Sequence, residues 1–294
     1  MNVVLYGRPR AAYTAEELDR LFNALESNGM QCRINADFAA QAAALTGRTF
    51  GAGSLYDERQ DAGEDAEVMI SYGGDGTFLD CVRLLGGRPV PIVGINSGRL
   101  GFLADVSREH LESALSDIGR GNFTITPRTL LHVRGDFCEA PRYPYAFNEL
   151  AVQRQNANMI STEVYVDGEM IAAYWGDGVL VSTPAGSTAY SLSVGGPVVA
   201  PDCRCFLISP IAPHNLTMRP VVIPDSGEIT FRVTTREAGF AVSLDNRSYS
   251  ARSGAAFRVC KSPDPIFLVR LQNISFYDTL RNKMMWGIDS RHPR

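Results

Sequence analysis

The sequence predicts a two-domain protein of mixed α/β and α+β character. A doubly wound, Rossmann-like α/β domain comes first, an antiparallel β-rich domain follows, and the C-terminal tail packs back on the first domain. Three observations predict this. Apolar strand-like runs and amphipathic helical runs alternate over roughly the first 120 residues, the pattern of a parallel sheet covered by helices. From Phe123 the chain becomes short β-like runs separated by Gly, Pro, Asn and Asp turns. After the last run, Phe276 to Trp286 reads as a helix with one apolar face. The expected division is therefore 1–122 with 272–294 for the α/β domain and 123–271 for the β-rich domain. A chain of 294 residues suits two domains.

The elements follow in order. Val3-Val4-Leu5-Tyr6 is a short buried strand ending at Gly7. Thr14 and Glu17 form a capping box, and Leu18, Leu21, Phe22 and Leu25 share one helical face that closes at Asn28-Gly29. Cys32-Arg33-Ile34-Asn35 is a second strand, Ala-rich 36–50 a helix, and polar Gly51–Glu64 a loop. Val68 to Tyr72 is an apolar run that ends in Gly73-Gly74-Asp75-Gly76, with a helix from about Thr77 to Leu85. Pro91 to Asn96 is the next strand, and a helix covers about Ser107 to Ile118. In such sheets ligands bind beyond the carboxyl ends of the strands, where the Gly73–Thr77 and Asn96–Leu103 loops lie. Within the β-rich part, Asp167-Gly168 reads as a hairpin turn.

Composition excludes several classes. The chain is 45% hydrophobic and 20% charged, with net charge -4 and a pI near 5.6. This gives no general electrostatic case for nucleic acid or an anionic membrane as partner. No apolar run is long enough to span a bilayer, and Met1 to Tyr6 reads as a strand rather than a secretory signal. The six cysteines are scattered with no C-x-x-C pair, and there are only four histidines, which argues for reduced thiols in a cytosolic protein and against zinc.

Three stretches carry chemistry. In Gly73-Gly74-Asp75-Gly76-Thr77 a strand ends, small residues turn the chain, and a helix begins. That places backbone N–H donors where a phosphate can approach. A carboxylate there would repel phosphate unless it holds Mg²⁺ or accepts the proton of an attacking hydroxyl. The spacing is neither G-x-G-x-x-G nor a Walker A loop, since no Lys follows. In Phe147-Asn148-Glu149-Leu150 an amide beside a carboxylate can read ribose hydroxyls or an adenine edge. Gly176 to Pro197 is dense in small and hydroxyl residues, which leave room for a flat ligand, while Tyr190 can stack on a ring.

Taken in this order, those stretches with Ile95 to Leu103 (which includes Arg99), Ile208 to His214 and Met218-Arg219-Pro220 resemble the NAD kinase family. The resemblance runs over about residues 66–247, and its Gly176–Pro197 block is the most specific part. It implies transfer of the ATP γ-phosphoryl group to the 2′-hydroxyl of the adenosine ribose of NAD⁺, dependence on Mg²⁺ or another divalent cation near Asp75, and a homodimer or homotetramer. Asp75 matches the catalytic aspartate, and Gly73, Gly74, Gly76 and Thr77 match the phosphate loop. Asp75 and Gly76 also count among the NAD-binding positions. Asn148 and Glu149 match residues that bind the adenosine part of NAD; Thr188, Ala189, Tyr190 and Ser193 match the adenine wall, and Phe102 an aromatic near that ring. Asp177 and Ala212 match positions near the nicotinamide end, and Asn246, after Asp245, a further NAD-binding position. A lipid kinase sharing the Gly-Gly-Asp-Gly loop predicts an apolar cleft, which the hydroxyl-rich third stretch argues against. A silent nucleotide sensor predicts affinity without turnover.

Overall fold

The computed structural model describes residues 1–57, 62–63, 65–98, 101–272 and 275–286. Arg99, part of the predicted loop at 51–64, and the polar end Asp289 to Arg294 lie outside the described residues. The chain divides into two compact units, Met1–Pro127 with Ile266–Arg294, and Arg128–Pro265.

The first unit contains β1 (Asn2–Gly7), α1 (Ala15–Ser27), β2 (Gln31–Asn35), α2 (Ala36–Thr46), β3 (Leu55–Tyr56), β4 (Val68–Tyr72), α3 (Asp75–Leu85), β5 (Ile92–Ile95), α4 (Leu111–Gly119) and β6 (Phe123–Arg128). The C-terminal stretch adds β18 (Ile266–Leu271) and α6 (Phe276–Met284). The sheet order is β3-β2-β1-β4-β5-β18-β6, with parallel pairing from β3 through β18. The fully buried strands β4 and β5 read as continuous apolar runs because both faces are covered. The capping box forms as the sequence indicates: Thr14 Oγ1 accepts from Glu17 N, and Glu17 Oε2 accepts from Thr14 N at 2.9 Å. Leu18, Leu21, Phe22 and Leu25 then join the core with Val3, Leu5, Ile70 and Val93.

The structure moves several boundaries. Helix α2 stops at Thr46, because Gly47 takes the left-handed conformation that ends a helix. The stretch read as a loop at 51–64 contains a 3-10 turn at Ala52–Ser54 and edge strand β3. Helix α3 begins at Asp75, not Thr77. Strands β6 and β18, expected in the β-rich domain, belong to the parallel sheet, so the units divide at 127/128 and 265/266 instead of 122/123 and 271/272.

The second unit holds β7 (Leu131–Gly135), β8 (Tyr145–Ala146), β9 (Glu149–Gln153), β10 (Ile160–Val166), β11 (Glu169–Ser182), the short helix α5 (Tyr190–Ser193), β12 (Cys205–Pro213), β13 (Val221–Pro224), β14 (Ile229–Thr234), β15 (Gly239–Leu244), β16 (Arg247–Arg252) and β17 (Ala256–Lys261). Its sheet follows β16-β15-β9-β11-β10-β14-β17-β7-β8, with β12 bridging β11 and β13, and its pairs are antiparallel. Asp167 (φ 51°) and Gly168 (φ 83°) make the two-residue turn between β10 and β11. β11 runs for 14 residues: its first half pairs with β10, and its second half lies between β9 and β12. That second half leads into Thr183-Pro184, from which the small-residue stretch departs.

All six cysteines are unpaired. No helix among the described residues is long and apolar enough to cross a membrane.

Candidate active site

In the first unit the site forms where β4 ends. Gly73 N donates to Ile95 O at 2.9 Å, and Thr77 N and Phe78 N both donate to Gly74 O. The amides of Gly73 and Thr77 thus hold the turn together. The first-turn amides of α3, including those of Asp75 and Gly76, have no intrahelical acceptor and are the donors left for an anion. Arg8 borders this turn but is committed to Asp80, at 2.7 and 3.0 Å, and to Gly76 O at 3.2 Å.

Asp75 does not cap its own helix. Its carboxylate instead receives three amides from the loop after β5. Oδ2 accepts from Phe102 N at 2.8 Å, and Oδ1 accepts from Leu103 N at 2.9 Å and Ala104 N at 3.1 Å. Gly101 permits this, since a Cβ there would overlap the Asp75 carboxylate. A carboxylate oxygen has two lone pairs. Oδ1 is filled, while Oδ2 keeps one lone pair for a further proton or ligand. Asn96 fixes the near end of the loop, its Oδ1 accepting from Gly98 N at 2.6 Å.

Two groups around Asp75 were not singled out in the sequence. Lys283 of α6 places its ammonium 4.7 Å from the centre of the Phe102 ring. Asp105 follows the amide-donating loop, and burial pushes its carboxyl up to about 6 against the opposing pull of Arg270 and Lys283. Neither lies in a motif, and only the fold brings α6 to this loop.

In the second unit Asn148 and Glu149 are buried at the junction of β8 and β9. Asp245, at the β15–β16 turn, accepts from Phe147 N (2.9 Å), Asn148 N (2.7 Å) and Glu149 N (3.2 Å). The backbone of these residues is therefore held while their side chains are left over. Asn148 Oδ1 and Glu149 Oε2 are buried without any hydrogen-bond partner. Each such orphan costs about 1–3 kcal/mol, so a ligand that supplies donors to both recovers stabilisation. Burial, with Asp245 adding to it, raises the Glu149 carboxyl to about 8, against the Tyr190 backbone N–H that lowers it.

The small-residue stretch closes on this pair. Thr183 N donates to Asn148 O at 2.9 Å, Thr183 Oγ1 donates to Phe147 O at 2.6 Å, and Gly186 packs against the Asn148 carbonyl with no room for a Cβ. Thr188 and Ala189 follow in the 3-10 turn Ala185–Thr188 and its exit, and Tyr190 opens α5. Tyr190 OH accepts from Gln153 Nε2 at 2.6 Å, which fixes the ring's tilt. Thr188, Ala189 and Tyr190 are half-buried and Ser193 is exposed. Asp177 is taken by Arg154, with oxygens at 2.6 and 3.2 Å, which neutralises its charge. Ala212 sits exposed on β12 at φ 42°, its carbonyl against Gly176. Asn246 is exposed in the turn after Asp245. Asn148, Glu149 and Tyr190 thus come together. Burial raises the Tyr190 hydroxyl, and Asp177, paired with Arg154, is near enough to add to that alongside Glu149; Ala212 lies against the neighbouring Gly176.

A pH prediction follows from Glu149. Its folded value, about 8, lies above the ordinary 4.5. The folded state therefore holds the proton more tightly, and stability falls as pH rises from about 4.5 to about 8. The neutral Glu149→Gln variant lacks this dependence. Its stability relative to the wild type should grow across that window by at most about 1.4 kcal/mol per pH unit, and level off above it. Denaturant titrations at several pH values check this; a constant difference would contradict it.

Residues 14–123 match the family model described as the ATP-NAD kinase N-terminal domain, and residues 147–271 match the ATP-NAD kinase C-terminal domain. An NAD kinase of Flavobacterium psychrophilum is 39% identical, over 99% of this chain and 100% of the relative. The crystal structure of yeast NADH kinase complexed with NADH has a TM-score of 0.87 at 21% identity, covering 100% of this chain and 89% of that one, a likeness of fold. An NAD kinase from Archaeoglobus fulgidus in complex with ATP has a TM-score of 0.74 at 26% identity, covering 97% of this chain and 99% of that one.

Proposed function

This chain belongs to the ATP-NAD kinase family, and from that premise we propose that it is a phosphotransferase carrying the γ-phosphoryl group of ATP to the 2′-hydroxyl of the adenosine ribose of NAD⁺, giving NADP⁺ and ADP. The single observation that carries the mechanism is the Asp75 carboxylate, clamped by three amides with one lone pair free on Oδ2. That oxygen takes the proton of the 2′-hydroxyl as the hydroxyl oxygen attacks the γ-phosphorus. The bond to the bridging oxygen breaks and ADP leaves with its electron pair. Phosphoryl transfer needs positioning and charge neutralisation more than covalent chemistry, and the α3 N-terminus with Gly74 and Gly76 supplies amide donors for the phosphates. The ATP bound to the Archaeoglobus fulgidus relative supports ATP as donor.

The acceptor's adenosine falls to the second unit. Asn148 Oδ1 and, once Glu149 ionises, its Oε2 are acceptors in want of donors, and ribose hydroxyls or an adenine amino group supply them. Thr188, Ala189, Tyr190 and Ser193 line the adenine. Arg154-paired Asp177 and Ala212 lie toward the nicotinamide end, and Asn246 adds a contact beside Asp245. NADH bound to the yeast relative supports a dinucleotide ligand.

For the divalent cation, no group of three or more His, Cys, Asp or Glu side chains occurs among the described residues. That fits Mg²⁺, which keeps its waters and binds through phosphates with one or two carboxylates. The cation would sit near Asp75, held by the phosphate oxygens and its own waters because the one free Asp75 lone pair takes the proton, and its part would be to neutralise charge on the triphosphate. The test is direct: the purified chain with NAD⁺ and Mg-ATP should form NADP⁺. No NADP⁺ with any of several phosphate donors would sink the reading.

Self-association and a cytosolic location complete the proposal. The six free thiols support the location. Met170, Ile171 and Trp175 expose apolar surface along the first half of β11, Trp175 at 56%, and such patches mark interfaces. A dimer or tetramer is expected by light scattering, with Trp175→Glu shifting it toward smaller species. A monomeric wild type would overturn this part.

A further inference from the structure

We propose that Lys283, on the C-terminal helix α6, is the cation that engages the phosphoryl group in transit, a role that rests on the kinase reading above. The position of its ammonium carries the inference. Nζ is buried and has no hydrogen-bond acceptor. It lies over the ring of Phe102, 4.7 Å from the centroid. The backbone N–H of that same Phe102 donates to Asp75 Oδ2, the oxygen with the free lone pair, at 2.8 Å. The ammonium and the proposed proton acceptor thus share Phe102 as a neighbour, and the Asp75 carboxylate acts on the ammonium electrostatically.

A buried, unpaired ammonium is costly, and a structural lysine would normally close on a carboxylate. Asp75 and Asp105 both attract this one, yet neither is its hydrogen-bond partner. Asp75 is occupied by the loop amides, and Asp105 also feels Arg270. Burial draws the Lys283 ammonium down to about 8, and the two carboxylates hold it up. The ion keeps three donors without a hydrogen-bond acceptor and lies over a π-face. An anionic oxygen meets that need, and the reaction supplies one on the γ-phosphoryl group. The Gly73–Thr77 loop lacks the lysine that follows a Walker A loop, and Arg8 is tied to Asp80. Lys283 fills the vacant role from the far end of the chain. It keeps its proton throughout and lends charge to the equatorial oxygens as the 2′-oxygen to phosphorus bond forms and the bridging bond breaks.

The test compares Lys283→Met, which keeps the straight apolar stem, with Lys283→Arg, which keeps the charge. Lys283→Met should hold or raise the melting temperature, leave KM for NAD⁺ within about twofold, and lower kcat by about 10²–10³-fold, the range for losing one oxyanion-stabilising donor. Lys283→Arg should recover part of that kcat. A folded Lys283→Met with kcat within about threefold of wild type overturns the inference. So does an equal loss in both variants together with a lowered melting temperature, which marks a packing role. A wild type that makes no NADP⁺ removes the kinase reading instead. Calorimetric titration with Mg-ATP then decides this inference separately: weaker binding by Lys283→Met supports it, and equal binding overturns it.

Discussion

Asp75→Asn is expected to lower kcat for NADP⁺ formation by about 10²–10⁴-fold, the span attributed to a general base. Two effects act together. The variant has no basic oxygen at the Oδ2 position, so the 2′-hydroxyl proton has no acceptor. It also disturbs the loop. If the amide oxygen keeps the bonds from Leu103 and Ala104, the new NH₂ faces the Phe102 N–H, donor against donor. If the amide flips, it faces two N–H groups instead. A stability loss of about 1–3 kcal/mol for the unmatched donor should accompany the kinetic loss. Gly101→Ala separates position from chemistry. It retains the carboxylate, but the new Cβ would overlap it and drive it off the amides. Its kcat should fall by a comparable factor with NAD⁺ affinity kept. Rates near wild type for a folded Asp75→Asn would refute the assigned role. A fully active Gly101→Ala would show that the three-amide clamp has no part in the reaction.

What the sequence disclosed, and what it withheld, follows the range of the interactions. The Thr14–Glu17 capping box and the Asp167-Gly168 turn are contained within four residues, so their chemistry is visible in the sequence. The corner at Gly73–Thr77 is visible for the same reason. The membership of β6 and β18 is not. Their alternation identifies them as strands, but their sheet is set by neighbours more than a hundred residues away. The first half of β11 is apolar and exposed, so no burial pattern marks it as strand. In the site, residue types were legible and occupancy was not. A glycine-rich loop suggests free amides, yet Gly73 spends its own on Ile95, while Asp75 looks outward to three amides that no spacing rule connects to it. Lys283 is the extreme case. Its sequence context is an ordinary amphipathic helix, and only the placement of α6 makes its charge unusual.

The second large effect is expected from Asp245→Ala, a loss of several kcal/mol in stability together with weakened NAD⁺ binding. Asp245 sits at φ 53°, a conformation that Asp and Asn tolerate better than other side chains. Its carboxylate accepts three amides, and its own N–H donates to Glu149 O at 2.9 Å. Truncation orphans three donors at about 1–3 kcal/mol each, and it frees the segment that presents Asn148 and Glu149. Asp245→Asn is the finer probe. It tolerates the backbone conformation and keeps one acceptor but removes the charge. Since Asp245 helps to raise the Glu149 carboxyl, its neutralisation must let that group ionise at lower pH. The window in which Glu149→Gln outgains its parent should then end below about 8 when both are measured in the Asp245→Asn background. On the proposed reading, ionised Glu149 is the better acceptor for a ribose hydroxyl. NAD⁺ affinity in the Asp245→Asn variant should therefore reach its alkaline plateau at lower pH than in the wild type, even where the plateau itself is reduced. An unshifted profile would mean that Asp245 supports the segment mechanically and has no electrostatic hold on the group beside the ligand.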